Sequence, residues 1–233
     1  MNGSLVFDAK SHTYFFNRKK LGSSVSKLVN QHWPAFDSIR IASKCGPKAR
    51  EKWTGDPDAS DTDVITAWNQ NAKEAAALGT ALHAKIEDYF RGSHNHGLDP
   101  TIQAWLASRF SGHWEFEPEV TISGFVYEGG RRIPGCVDLL AFCDGEAWLF
   151  DWKRGKVDND NGELDPITGL RGTKYNKYSL QLAFYAAILK QSRGIDVPVH
   201  RRVIVKVLEN TEPYEIPAAD MDAVVPIVAA LEQ

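Results

Sequence analysis

The stretch Gly135-Cys136-Val137-Asp138-Leu139-Leu140-Ala141-Phe142-Cys143-Asp144-Gly145-Glu146-Ala147-Trp148-Leu149-Phe150-Asp151-Trp152-Lys153 holds two apolar runs around an Asp-Gly pair. Asp-Gly between strand-like runs signals a two-residue hairpin, because such turns need positive φ, which Gly supplies and Asp tolerates. A loop of Asp144-Gly145 sets Cys143 opposite Glu146, Leu140 opposite Leu149 and Asp138 opposite Asp151. Opposed residues share a face of the sheet, with Cβ atoms about 4.5–5.5 Å apart. Alternation then puts Lys153 on the face of Asp151. Two facing carboxylates repel, and their neighbours are Val, Leu, Phe and Trp, so the pair needs a cation. A divalent metal with oxygen ligands meets that need, with Lys153 beside it. The alternative is an edge hairpin with solvated acids. Apolar residues on both faces, as in a buried central strand, weigh against it. A register slip of one residue would undo the pairing.

Downstream, residues 154–178 show no periodicity, and a loop this long inside a domain is usually functional or disordered. Its acidic middle, 158–165, reads as a solvated tip. Arg171, Lys174, Tyr175 and Lys177 at its far end mix cations with aromatics, the combination that grips phosphates and stacks on bases. An ordinary charged loop is the competing reading. Leu180 to Gln191 reads as a buried helix, apolar on all sides except for Gln181 and Tyr185, whose polar groups need partners. Residues 199–208 read as a strand, with Val203, Val205 and Val207 on one face, and 217–231 as a closing helix.

Upstream, residues 4–17 read as a hairpin, with His12 a surface or hairpin residue rather than a ligand. Ser24 reads as the N-cap of a helix, and residues 36–53 as helical. A long helical pattern spans residues 64–91. Within it, His83 and Glu87 are four residues apart and share a face. Gly79, about 1 kcal/mol less favourable than Ala in a helix, suggests close packing or a kink. Spacing alone favours a hydrogen-bonded core histidine at 83. His94 and His96 lack partners at zinc spacing and read as a solvated loop. Residues 99–112 read as a helix and Trp114–Ile122 as a strand. The glutamates of that strand are expected in solvent, Glu119 being the one with some reach toward the site.

Together these pieces carry a resemblance. Gly135-x-x-Asp138 followed by Asp151-Trp152-Lys153 resembles the core of the PD-(D/E)XK nuclease superfamily, with Asp where many members have Glu. Gly79-Thr80-x-x-His83-x-x-Ile86-Glu87 upstream and Gln181-x-x-x-Tyr185 downstream are similar to its RecB-like branch, which includes phage-type exonucleases. The N-terminal region adds weaker support. The resemblance implies an α/β fold of restriction-endonuclease-like form, a mixed central β-sheet flanked by α-helices. It implies a metal-dependent deoxyribonuclease of DNA recombination, repair or phage DNA metabolism, with an exonuclease expected. Asp138, Asp151, His83 and the backbone carbonyl of Trp152 would hold Mg²⁺ or Mn²⁺. Lys153 would act on water or phosphate, while Glu87, Gln181 and Tyr185 would support the site. The partner would be single- or double-stranded DNA, with ends as substrate. A homo-oligomer or a recombination partner protein is compatible with the resemblance. A silent nucleic-acid-binding module on the same fold is the competing function. RecB-like nucleases with an iron–sulfur cluster use four cysteines, and this chain has three.

The totals are compatible with that expectation. The 233 residues are 43% hydrophobic and 24% charged, an ordinary globular composition. One domain over 1–233 is expected, with N-terminal elements in 1–62, a core in 63–210 and a helix in 217–232. The net charge of −3 argues against non-specific coating of nucleic acid but leaves room for a local basic groove. No apolar run is long enough to span a membrane, and Met-Asn-Gly-Ser does not open a secretory signal. Cys45, Cys136 and Cys143, odd in number and widely spaced, fit a reducing compartment, and a cytoplasmic location is expected. Cys136 and Cys143 read as buried strand residues. No repeat, coiled coil or nucleotide-binding Gly-rich loop is visible.

Overall fold

In the computed structural model the described residues are 4–231, except 9, 10, 12, 95, 127–129, 156 and 158–161. The expectations for His12 and for 158–161 lie outside them. Where one domain was expected, the chain groups into two compact units, a larger one of residues 1–34 and 83–233 and a smaller one of 35–82. The protein is a mixed α/β structure with a five-stranded sheet, a three-stranded sheet and helices.

The larger unit opens with β1 (Leu5–Asp8), β2 (Thr13–Phe16) and β3 (Lys19–Lys20), which form the small antiparallel sheet. Helix α1 (Val25–His32) follows, and Ser24 caps it by accepting from the Lys27 N–H. Such a cap stabilises a helix by about 1 kcal/mol. The smaller unit contains α2 (Ser38–Ala42), α3 (Pro47–Thr54) and the first part of α4 (Asp61–Phe90). Helix α4 runs through Gly79 as one helix, and a Cβ there would meet nothing within 4 Å, so the expected close packing is absent; its last turns from His83 belong to the larger unit.

After α5 (Pro100–Arg109) come β4 (Trp114–Gly124), β5 (Ile133–Cys143) and β6 (Glu146–Lys153). Helix α6 (Lys174–Arg193) leads to β7 (Arg202–Leu208), then β8 (Thr211–Pro217) and the short α7 (Val225–Ala230). The sheet order is β4-β5-β6-β7-β8, with β6 and β7 parallel and the other pairs antiparallel. A parallel pair needs a crossover, and α6 lies within it. The expected closing helix from 217 is shorter, because 211–217 is an edge strand. Its two prolines, Pro213 and Pro217, are tolerated at an edge where no inner ladder needs their missing N–H.

Helix α6 packs on one face of the sheet. Leu180, Ala183, Phe184 and Ile188 bury there with Leu140, Leu149 and Ile204 of the strands and Val25 and Leu28 of α1. The other parity of β6, Trp148, Phe150 and Trp152, joins an aromatic ladder with Phe90, Phe110, Trp114 and Phe116. Each aromatic pair contributes about 0.5–1.5 kcal/mol beyond its buried area. Strand β6 is thus covered on both faces, and its alternation sends Asp151 and Lys153 toward α6.

Helix α6 begins earlier than expected. Thr173 caps it by accepting from the Asn176 N–H, so Lys174, Tyr175 and Lys177 stand on a helix, not in a loop. The preceding segment is exposed at Glu163 and Leu164 but not at Asp165. Asp165 is buried, accepts from Thr168 and lies 3.3 Å from His32. Gly172 sits flush on Trp33, where a Cβ would come within 2.7 Å of the indole.

Gly135 has a similar constraint. A Cβ there would lie 2.6 Å from Cε1 of the buried Tyr185 ring. Gly135→Ala is therefore expected to destabilise the chain by about 1–3 kcal/mol, as overpacking does. Urea unfolding measures it, and a midpoint equal to the wild type would refute the close approach.

Candidate metal centre

The hairpin turn is as the Asp-Gly pair demands. Asp144 and Gly145 have φ of 52° and 77°, and Cys143 pairs with Glu146. The ladder between β5 and β6 runs from there to Leu139–Phe150 and stops one pair short of Asp138–Asp151. Here the Asp138 carboxylate takes over from the backbone. Its Oδ2 accepts the Trp152 N–H at 2.8 Å.

Strand β4 adds a third carboxylate. Its pairing with β5 runs through Pro118–Leu139 and Val120–Val137, which leaves Glu119 across from Asp138. Glu119 has a φ of 50°, a left-handed conformation in mid-strand. A non-glycine residue there is strained by roughly 1–3 kcal/mol, and such outliers concentrate at functional sites. Its Oε2 accepts from the Cys136 thiol at 3.2 Å. Burial and the Glu119 carboxylate push the thiol pKa up, so Cys136 is a donor here and not a reactive thiolate. Both Cys136 and Cys143 are half-buried, less than their expected burial.

Helix α4 contributes His83. Its Nε2 donates to the Trp152 carbonyl at 2.8 Å, while Nδ1 lies 3.5 Å from Asp138 Oδ2 and 3.9 Å from Glu119 Oε1. Burial works against a charged ring, yet Asp138 and then Glu119 lift the His83 pKa to about 9. One ligand atom each from His83, Glu119 and Asp138 fall within 4.8 Å of one another.

Asp151 lies beside this trio and outside that set. It is 1% exposed. Its Oδ1 accepts from Lys153 Nζ at 2.8 Å and from Gln181 Nε2 at 3.4 Å. Its Oδ2 is buried with no hydrogen-bond partner among the described residues. Burial and the neighbouring Asp151 push the Asp138 carboxyl up. Burial opposes the charge on Lys153, but Asp151 and Asp138 hold its pKa above the ordinary lysine value. The ammonium also sits 4.8 Å from the Tyr178 ring centre. Gln181 donates to Tyr185 Oη at 2.9 Å, so the two polar exceptions of α6 satisfy each other beneath the acids.

The charges do not close. Three carboxylates, Glu119, Asp138 and Asp151, face one lysine and one histidine. Taking an ion out of water carries an effective penalty of several kcal/mol, and a buried carboxylate oxygen without a partner adds to it. These residues fit a hard divalent cation, which takes carboxylate, carbonyl and imidazole ligands.

Of the residues expected at the site, His83, Asp138, Asp151, Trp152, Lys153, Gln181 and Tyr185 are brought together. Glu87 is not in direct contact with them, since its carboxylate pairs with Arg91 at 2.7 Å one turn along α4. Glu119 and Tyr178 belong to the site although no motif in the chain marks either of them. The register of β4 would have revealed Glu119, but the eight-residue connection 125–132 leaves that register open. The four cationic and aromatic residues after the hairpin are partly engaged within the chain. Arg171 donates to the Gly162 carbonyl, the Tyr175 hydroxyl to the Pro217 carbonyl, and Lys177 lies over Trp33. Lys174 is exposed.

No family model and no curated protein matches the chain. A solved structure described as "Crystal structure of SSO0001" is 16% identical, with 89% of this chain and 72% of that chain covered and a TM-score of 0.41, too low to carry an argument. No helix among the described residues is long and apolar enough to cross a membrane.

Proposed function

We propose that the chain is a metal-dependent deoxyribonuclease of the PD-(D/E)XK type, with a restriction-endonuclease-like core and exonuclease activity on DNA ends. The observation that carries this reading is the uncompensated acid cluster of Asp138, Asp151 and Glu119 with Lys153 at its edge. Asp138, Asp151, His83 and the Trp152 carbonyl would hold Mg²⁺ or Mn²⁺, with Glu119 closing the set. When bound, the metal supplies a polarised phosphate and a hydroxide-like water. The chain does the rest. Strand β6 presents Asp151 and Lys153 on one face, Gln181 braces Asp151, and the Lys153 ammonium orients water or balances charge developing on phosphate.

The test is digestion of end-labelled linear and circular DNA, single- and double-stranded, with Mg²⁺, Mn²⁺ or a chelator. Cleavage of linear DNA that needs metal, with circles spared, is expected. No cleavage of any substrate with either metal would favour a silent binding module.

Arg171, Lys174 and Lys177 would meet phosphates beside the site, with Tyr175 against the bases. Replacing all three cations with Ala is expected to flatten the log–log salt dependence of DNA binding by about 0.7–0.9 for each phosphate that the variant no longer reaches. An unchanged slope in a filter-binding series would return these residues to the solvated surface.

A further inference from the structure

The smaller unit leaves Phe36 and Trp53 at the surface, with Trp68 half-buried beside them. Its buried residues are Ala42, Ala59, Val64 and Leu82, while Phe36, Ile39 and Trp53 are 67%, 73% and 39% exposed. Trp68 joins two of them edge-on, its ring centre 5.5 Å from that of Phe36 and 6.2 Å from that of Trp53. Three rings thus form one continuous patch. Apolar exposure of this kind marks a binding surface.

The charge of the unit is unevenly spread. Between Ser38 and Thr54 five cations stand against the single carboxylate of Glu51, while residues 35–82 together carry six cations and seven acids. Arg50 serves the fold, bonding to the Cys45 carbonyl at 2.9 Å and to Asp61 at 2.6 Å, and Arg40 pairs with Asp37. Lys44, Lys48 and Lys52 are exposed, and none has an ion-pair partner among the described residues. Lys48 and Lys52 lie one turn apart on α3 and share its face. The Lys52 ammonium is 5.7 Å from the Trp53 ring centre. A protein interface is depleted in lysine, and a continuous duplex hides the faces of its bases. An unpaired lysine beside an exposed ring, with a second lysine one turn away, suits a strand whose phosphates meet the cations and whose bases stack on the rings.

We propose that the smaller unit binds single-stranded DNA, with bases on the Phe36, Trp53 and Trp68 cluster and phosphates on Lys52 beside Trp53 and on Lys48 one turn before it on α3. The choice of DNA rests on the nuclease reading above. The binding itself does not need the metal centre.

The experiment is fluorescence anisotropy of a labelled oligothymidylate with the full chain in a chelator, where metal-dependent cleavage is silent. Trp53→Ala and Phe36→Ala are each expected to weaken binding about 5- to 150-fold, the worth of one stacked base. Trp53→Phe should restore most of it. The pair Lys48→Ala with Lys52→Ala, exposed and harmless to folding, should lower the log–log salt slope by about 1.4, at about 0.7 per single-strand phosphate. Wild-type affinity in the ring variants together with a wild-type slope in the lysine pair would overturn the proposal and leave the patch to a protein partner. Should the ring variants fail to fold, the slope of the lysine pair decides alone. A wild-type chain that binds in this way but never cleaves would sink the nuclease reading and spare this one.

Discussion

Lys153→Ala is expected to lower DNA cleavage by about 10²–10³, the usual loss when one preorganised electrostatic interaction with a transition state is removed. The ammonium stands 2.8 Å from Asp151 Oδ1. Without a metal it serves as the counter-ion of a buried acid. A metal held by the same acids would take over that duty and leave the lysine free to act on water or phosphate. The variant separates the two duties. DNA binding in Ca²⁺, where cleavage is expected to be slow, should change far less, because it draws on many phosphates. Stability without metal should fall, because removing one partner of a buried pair leaves an uncompensated charge. Added Mn²⁺ should restore it. Wild-type turnover in the variant would refute the assigned role.

His83→Ala is expected to weaken Mn²⁺ binding by more than the 10- to 100-fold that loss of an outer supporting partner usually brings. Calorimetric titration measures this without relying on activity. The sign of its pH dependence follows from His83 itself. An imidazole must be neutral to ligate, and here its proton is held to about pH 9 by Asp138 and Glu119. Metal must displace that proton, so wild-type affinity should rise with pH and level off near 9. The raised Asp138 carboxyl acts in the same direction at lower pH. The variant should lose one proton's share of that slope. Identical slopes and affinities in the two proteins would make His83 a core residue that only braces the Trp152 carbonyl.

The central hairpin was legible because its two controls are local. Asp144-Gly145 fixes the turn, and the apolar alternation on either side fixes which residues face each other. His83, Gln181 and Tyr185 were legible as motif positions, although spacing alone favoured a core histidine at 83. What stayed hidden depends on long-range pairing. Glu119 could be singled out only for some reach toward the site, because its place there depends on the register of β4 on β5, which no turn specifies. Strand β8 was hidden by its prolines and charges, which read as loop unless the edge of a sheet is already known to be there. The start of α6 was hidden in a polar stretch, though Thr173 three residues before Asn176 is a readable cap. Glu87 fitted a motif position, but Arg91 one turn away claims its carboxylate.

Glu119 sets backbone ease against a full-length acid. The left-handed backbone at this point suits glycine, and glycine brings no acid. Aspartate tolerates the conformation better than glutamate does but is one methylene shorter. A variant selected only for heat resistance would be drawn to glycine here and would discard the group that faces Asp138. Stabilising this fold while keeping that carboxylate means working elsewhere and leaving residue 119 as it is.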